Sequence, residues 1–150
     1  MRIVLTTVLN ASVTIDNQVV GQINRGFCVL VGFTHDDSKE RVEKMVNKLV
    51  FLRLFDDKNG KTNLSLEDIG GSILSISQFT LYASLKDGRR PSFVNAMRPD
   101  EATKLYDYFN ECLRKTGIHI ETGVFGADMK INLENNGPFT TILDSAELGL

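Results

Sequence analysis

The sequence is poor in the residues that build disulfide frameworks and metal centres. It has two cysteines, two histidines and no tryptophan among 150 residues. Cys28 lies in an apolar run and Cys112 on the apolar side of a predicted helix, so we expect two small buried hydrophobic residues and no Cys-x-x-Cys pair. His35 and His119 are isolated and lack the spacing of metal ligands. The sequence therefore predicts no metal site and no disulfide bond.

Long apolar segments are also missing. No run approaches the roughly 18 residues that a membrane-spanning helix needs. Residues 1–9 are too short and too polar for a signal peptide. These two absences predict a cytoplasmic protein that has no membrane partner.

An excess of positive charge is missing as well. The net charge of −2 and the isoelectric point near 5.7 argue against DNA as a partner and against any broad nucleic-acid-binding face, because phosphate contacts need clustered Lys and Arg. Any RNA contact must therefore be local. The candidate is the loop 83–91, which contains Lys86, Arg89 and Arg90. A short basic loop is often only a solvated one, so both interpretations stay open.

Apolar periodicity predicts seven or so strands and two helices. The strand-like segments are residues 2–15, 18–23, 27–33, 75–82, 118–122, 129–134 and 139–143. The first helix is expected to be capped by Asp37, with Glu40 completing a capping box, and the second covers residues 99–116. We predict a single α+β domain with largely antiparallel, barrel-like sheets and two main helices in residues 1–145, followed by a tail of residues 146–150.

The segment 75–82 has polar side chains where a buried strand should be apolar. Ser77, Gln78 and Thr80 interrupt an otherwise apolar run. Burying such groups without partners costs about 1 to 3 kcal/mol each. The segment therefore either supplies a polar network within the sheet or lines a site, and its sequence alone leaves both possibilities open.

A second unusual segment, residues 135–140, lies between the last two predicted strands. Its Asn-Gly pair is typical of a tight hairpin, but Pro138 follows at once and lacks the amide that a returning strand would use. This indicates a loop shaped for something other than reversing the chain. A Gly-Pro bond can also be cis, which would direct two carbonyl groups to one side. The alternative is a plain turn in which Pro138 begins an edge strand.

Several motifs together resemble those of the D-aminoacyl-tRNA deacylases of the D-tyrosyl-tRNA deacylase type. The resemblance covers about residues 1–145 and rests on five motifs in the family's order and spacing: Ser77-Gln78-Phe79-Thr80-Leu81-Tyr82, Gly88-Arg89-Arg90-Pro91-Ser92-Phe93, Asn95-Ala96-Met97-Arg98-Pro99, Phe125-Gly126-Ala127-Asp128-Met129 and Asn136-Gly137-Pro138. Five separate motifs make the resemblance very specific.

The resemblance implies a cytoplasmic homodimer that needs no cofactor and hydrolyses the ester between a D-amino acid and the 3′ end of tRNA. It also implies removal of glycine from mischarged tRNA-Ala. The residues that it assigns to catalysis are Ser77, Gln78, Phe79 and Thr80 of one subunit. Those that it assigns to substrate binding and rejection of L-amino acids are Gly137 and Pro138, joined by a cis bond and inserted from the other subunit, with Phe125, Ala127 and Met129.

The chemistry of such a substrate agrees with this composition. A site that accepts many D side chains must discriminate at the chiral centre through backbone groups, which would let achiral glycine pass. An aminoacyl ester is already activated, so its hydrolysis needs positioned donors more than a strong base. Thr80 has no evident partner to take its proton. We therefore expect the amides around Phe79 and Thr80, with Gln78, to stabilise the oxyanion while the substrate 2′-hydroxyl assists water.

Two departures from the family pattern leave alternatives open. Thr6 and Thr7 replace a Gln-Arg pair whose arginine is thought to hold the Gly-Pro loop, and Phe139 replaces a small β-branched residue. They leave open a relative with a trans Gly-Pro bond that clears small L-amino acids.

Two alternatives from other functional classes also stay open. One is a non-catalytic module that binds the tRNA acceptor end or free D-amino acids, and the other is an interaction domain that uses exposed sheet edges.

Overall fold

The computed structural model describes residues 1–150 and contains eight strands, two α-helices and one short 3₁₀ turn. The strands are β1 (Arg2–Ile15), β2 (Gln18–Ile23), β3 (Gly26–Gly32), β4 (Phe55–Asp56), β5 (Thr62–Leu64), β6 (Ser72–Ser77), β7 (His119–Thr122) and β8 (Lys130–Asp144). The helices are α1 (Lys39–Val50) and α2 (Pro99–Lys115), and the 3₁₀ turn is Phe79–Tyr82, the 79–82 turn below. No helix is both long enough and apolar enough to cross a membrane.

The main sheet has the strand order β2-β1-β3-β6-β7, with β8 on the other side of β1. The pairings of β1 are antiparallel, whereas β3 with β6 and β6 with β7 are parallel. The sheet curls until β2 approaches β7: a Cβ atom built on Gly21 would lie 3.0 Å from the carbonyl oxygen of Thr122. The predicted α+β fold with two helices and a barrel-like sheet is confirmed.

Local signals position the first hairpin and the helices. Asp16 and Asn17 have φ of 49° and 62°, as a two-residue hairpin turn between β1 and β2 requires. The apolar faces of both helices pack against the sheet and enclose the main core. Its largest fully buried members include Phe27, Met45 and Phe109.

The predicted cap of α1 is wrong by one residue. Ser38 is the N-cap, and its side chain accepts a hydrogen bond from the backbone N–H of Arg41. Asp37 is buried instead, and its carboxylate accepts hydrogen bonds from the Met1 ammonium group at 2.5 Å and from Arg41 at 3.0 Å. A carboxylate buried at this position needs cationic partners, and the nearest one is the ammonium group of Met1, the residue before β1.

The two predicted strands 129–134 and 139–143 form one strand, β8, which runs along most of β1. Thr6 pairs with Thr140 and Val8 with Asn135, so residues 136–139 stand opposite Thr7 alone. We call this insertion the 136–139 bulge. The chain does not reverse there, so the plain-turn alternative is wrong. The Gly137–Pro138 peptide bond is cis, so the trans arrangement is not the one in this chain.

The predicted strand 75–82 ends early, because β6 stops at Ser77. The chain then turns at Gln78 into the 79–82 turn, which packs against the end of β3 at Gly32. A Cβ atom at Gly32 would lie 2.8 Å from the Gln78 carbonyl oxygen. The close approach is therefore possible only because β3 ends in glycine.

Candidate active site

The polar residues of segment 75–82 divide into two groups. Ser75 is fully buried, and its carbonyl oxygen accepts hydrogen bonds from the Tyr106 hydroxyl at 2.7 Å and from the Gly123 amide at 3.1 Å. This residue belongs to a network inside the fold. Ser77, at the end of β6, and Gln78, just after it, are half-buried, and Thr80 is exposed, as is the neighbouring Phe79 at 52%. The second group therefore faces accessible space.

The 79–82 turn leaves two backbone donors outside its own hydrogen bonds. The first bond of the turn runs from the Leu81 amide to the Gln78 carbonyl at 3.3 Å. The amides of Phe79 and Thr80 precede it and have no acceptor within the turn. These two N–H groups are adjacent donors of the kind that stabilise an oxyanion.

The Thr80 hydroxyl has one side-chain contact, the Gln78 side-chain amide. Gln78 Nε2 donates to Thr80 Oγ1 over 2.6 Å. An amide nitrogen does not take up a proton at neutral pH, so Gln78 can orient this hydroxyl but cannot activate it as a nucleophile.

Two cavities meet at Phe79. The larger has a volume of about 450 Å³ and is lined by Val31, Gly32, Phe33, Gln78, Phe79, Phe93, Ala96, Met97, Arg98, Pro99, Ala102, Phe125 and Gly126. The smaller has a volume of about 250 Å³ and is lined by Ile76, Ser77, Gln78, Phe79, Phe125, Gly126, Ala127, Met129 and Ile131. The structure thus brings together Ser77, Gln78 and Phe79 with Phe125, Ala127 and Met129, which are distant in sequence. Thr80 directly follows Phe79 in the sequence but lines neither cavity.

The larger cavity has an aromatic wall that the sequence predictions did not include. The rings of Phe79 and Phe93 are 4.9 Å apart and tilted by 56°. Phe93 is held there because the segment after it is bonded to the residues that follow β3. The Met97 amide donates to the Phe33 carbonyl, and the Thr34 hydroxyl donates to the Asn95 carbonyl. The motif containing Phe93 was visible in the sequence, but its docking depends on this tertiary contact.

Ionisable side chains are almost absent from both cavities. Arg98, at the larger one, is the single ionisable residue among all lining residues, and neither histidine is among them. Burial raises the pKa of the Cys28 thiol to about 11, and this residue lies in the core and lines neither cavity. No group of three His, Cys, Asp or Glu side chains is close enough to hold a metal ion. The arrangement can bind an apolar or aromatic group and supply neutral hydrogen-bond donors.

The 136–139 bulge lies apart from the cavities of its own chain. Gly137 and Pro138 are exposed and line neither of them. The bulge is held at its base, where Thr7 Oγ1 donates to the Asn136 carbonyl at 2.8 Å and the Phe139 amide donates to Asn135 Oδ1 at 3.0 Å. Within a single chain, Gly137 and Pro138 are therefore not part of the lining of these two cavities.

The basic loop is closed at its base and exposed at its tip. Ser84 and Ser92 exchange two backbone hydrogen bonds of 2.8 and 2.9 Å. Lys86, Arg89 and Arg90 lie between them, are exposed, form no ion pair and line neither cavity. The loop could contact a ligand that extends beyond the cavities.

Comparison with known proteins gives matches over nearly the whole chain. The sequence family described as D-Tyr-tRNA(Tyr) deacylase matches residues 4–144. A D-aminoacyl-tRNA deacylase of Lactobacillus gasseri is 55% identical over 144 residues, which are 96% of this chain and 99% of that protein. One of Thermus aquaticus is 50% identical over 147 residues, which are 98% of this chain and 97% of that protein.

Two solved structures share the architecture. A c-Myc DNA Unwinding Element Binding Protein superposes with a TM-score of 0.91 at 40% identity, covering 97% of this chain and 99% of that one. A probable eukaryotic D-amino acid tRNA deacylase has a TM-score of 0.85 at 21% identity, covering 95% and 97%. At that lower identity, the second likeness concerns the fold alone.

Proposed function

The chain belongs to the D-Tyr-tRNA(Tyr) deacylase family, and from this premise we propose that it hydrolyses the ester bond of D-aminoacyl-tRNA, releasing the D-amino acid and tRNA. The observation that carries the proposal is the pair of cavities that meet at Phe79, beside the amides of Phe79 and Thr80. These cavities offer donors and an aromatic wall but almost no ionisable group. Such a site suits an ester that is already activated.

The two cavities fit the two halves of the substrate's reactive end. The larger one has the size and the aromatic wall for the terminal nucleoside, because bases stack on aromatic side chains. The smaller one, with Ser77 and Gln78 at its edge, then receives the aminoacyl group. The ester lies between them, next to the 79–82 turn.

In this proposal the protein supplies electrostatic stabilisation and the substrate supplies the assisting group. The amides of Phe79 and Thr80 donate to the oxyanion that forms when water attacks the ester carbonyl. The neighbouring 2′-hydroxyl of the tRNA assists that water. Thr80 is not the nucleophile, because its hydroxyl contacts an amide and no base.

We further propose a homodimer in which the 136–139 bulge of one subunit reaches the smaller cavity of the other. Three features support this. The tip of the bulge, Gly137 and Pro138, is exposed and lines neither of the two cavities that meet at Phe79 in its own chain. Strand β8 pairs only with β1, so its other edge is free to meet a second chain. Ile142, on this strand, leaves 62% of its surface exposed.

The bulge then accounts for selectivity. Backbone carbonyls of Gly137 and Pro138 would stand where an L side chain has to go, whereas the D side chain points away. Backbone groups are the same for every amino acid, so this exclusion works across many D residues. Glycine has no side chain to exclude, and we therefore propose that glycine mischarged on tRNA-Ala is also removed.

The rest of the tRNA lies outside the cavities. We propose that Lys86, Arg89 and Arg90, in the basic loop, contact acceptor-end phosphates. The net charge of −2 favours such a local contact over a DNA-binding face. Since aminoacyl-tRNA is a cytoplasmic substrate, we expect the protein to act in the cytoplasm.

Time courses of hydrolysis of D-tyrosyl-, L-tyrosyl- and glycyl-tRNA by the purified protein test the reaction. We expect turnover of the first and third substrates and protection of the second. Tight binding of D-tyrosyl-tRNA without turnover would instead establish a binding module. Hydrolysis of L-tyrosyl-tRNA at the rate of the D form would contradict chiral selection.

Mixed dimers test the second subunit's role. Phe79→Ala removes the shared wall of both cavities. Gly137→Ala distorts the bulge, because Gly137 has φ +138° and an added Cβ would lie 2.9 Å from the Phe139 amide nitrogen. In a mixture of the two variants, one site of each mixed dimer combines an intact cavity with an intact bulge. We expect D-selective hydrolysis to be regained on mixing, whereas a site built within one chain would regain nothing.

A further inference from the structure

A row of three paired residues crosses the end of the main sheet beside the 79–82 turn. Arg2 of β1 pairs with Gly32 of β3 on one side and with Asp144 of β8 on the other. Directly paired residues direct their side chains to the same face of a sheet. The space above Gly32 is occupied by the turn, since a Cβ atom there would lie 3.0 Å from the Leu81 Cβ atom.

Arg2 closes over the turn from the next position in this row. Its Nη1 donates to the Leu81 carbonyl at 3.0 Å, and its guanidinium carbon lies 4.7 Å from the centroid of the Tyr82 ring. No other side chain from outside segment 78–82 forms a hydrogen bond with the 79–82 turn. Arg2 is therefore the single external side-chain donor to the segment that carries the Phe79 and Thr80 amides.

Asp144 fixes the direction of the arginine. Its Oδ2 accepts from Arg2 Nε at 2.6 Å, and its Oδ1 accepts from the Ala146 amide at 2.9 Å. With one carboxylate oxygen held by the backbone and the other by Nε, the guanidinium plane is oriented so that Nη1 faces Leu81. A planar guanidinium makes both bonds in a fixed geometry that an ammonium group cannot reproduce.

We propose that Arg2 is a positioning residue of the active site, which holds the 79–82 turn and its two oxyanion donors at their catalytic distance from the ester. The proposal rests on the proposed hydrolytic function. Arg2 lines neither cavity, so in this proposal it does not contact the aminoacyl group or the terminal nucleoside. It acts through Leu81 on the amides of Phe79 and Thr80, whose displacement by even an ångström would weaken oxyanion stabilisation.

The test compares Arg2→Ala and Arg2→Lys with the control Arg53→Ala. Arg53 also donates from Nε to a backbone carbonyl, that of Asn63, but it lies next to the β4–β5 hairpin and lines neither cavity. Amide hydrogen exchange at Leu81 and Ala83 measures the turn directly and needs no substrate. Initial rates with D-tyrosyl-tRNA separate kcat from KM.

For Arg2→Ala we expect faster exchange at Leu81 and Ala83, unchanged exchange in the centre of β3, and kcat lowered by about tenfold with KM within about twofold. For Arg2→Lys we expect a partial return of kcat, and for Arg53→Ala wild-type values. Because Arg2→Lys keeps the charge and a donor, it serves if the alanine variant does not fold.

Wild-type exchange of the turn in Arg2→Ala, or faster exchange with unchanged kcat, would overturn the proposal. An equal loss of kcat in Arg53→Ala would do the same, since it would mean that any lost arginine has this effect. If the wild-type protein itself hydrolyses nothing, the proposed function fails, and hydrogen exchange still decides whether Arg2 holds the turn.

Discussion

Replacing Thr7 with valine would remove the one side-chain hydrogen bond that β1 makes to the 136–139 bulge. Thr7 is 3% exposed, and its hydroxyl donates to the Asn136 carbonyl over 2.8 Å. Valine has nearly the same shape, so the change removes the donor and leaves little cavity. The effect therefore isolates one contact at the base of the bulge.

The size of the effect follows from the exposure of the acceptor. A neutral hydrogen bond contributes about 0.5 to 1.5 kcal/mol net. Asn136 is exposed, so water can replace the lost donor and the cost stays near the middle of that range, about 1 kcal/mol. For a chain of this length that corresponds to a fall in Tm of about 2 to 4 °C. If the bond biases the bulge toward its selective position, the preference for D over L substrate falls by about fivefold.

The assay is hydrolysis of D- and L-tyrosyl-tRNA by Thr7→Val, with Thr7→Ser as the control that keeps the hydroxyl. Thr6→Val is a second control, because the Thr6 hydroxyl meets only Thr140 Oγ1, at 3.3 Å. We expect L-tyrosyl-tRNA to become a substrate of Thr7→Val while the rate with the D form stays within about twofold. A lowered Tm with an unchanged D-to-L ratio would refute the reasoning, because the bond would then stabilise the fold without setting the selectivity.

Three further changes test the proposed chemistry and contacts. Thr80→Ala should keep kcat within about fivefold, because no base contacts the Thr80 hydroxyl. A loss of kcat of about a thousandfold would instead support Thr80 as a covalent nucleophile. Gly32→Ala should displace the 79–82 turn and lower kcat by about tenfold or more, because its Cβ would lie 2.8 Å from a backbone carbonyl; wild-type kcat would contradict this. Replacing Lys86, Arg89 and Arg90 together with alanine should raise KM and leave kcat unchanged. The slope of log(kcat/KM) against log salt concentration should become less steep by about 0.7 per lost phosphate contact. An unaltered slope would exclude these residues from tRNA binding.

Much of the fold could be predicted because its signals are local. The apolar stripe of α1 and the Asp16-Asn17 turn each depend on residues close together in sequence. The five motifs also identified the family, which the comparisons confirm. Local pattern and motif therefore sufficed for the fold class and the broad identity.

Features that depend on distant partners could not be predicted. Asp37 stands where the sequence predicts a helix cap, but its carboxylate is buried and bonds to the ammonium group of Met1. The room for the Gln78 carbonyl after the end of β6 depends on Gly32, which belongs to another strand. The sequence shows threonine at position 7, but it does not show that the Thr7 hydroxyl bonds to the Asn136 carbonyl. That contact depends on the register shift between β1 and β8.

The pairing of β1 with β8 sets the order in which the molecule can be completed. Residues near Arg2 are synthesised well before their β8 partners, which extend to Asp144. One edge of β1 thus stays unpaired until β8 has left the ribosome. Contacts this far apart in sequence slow folding, so we expect the main sheet to be completed late, once β8 has emerged.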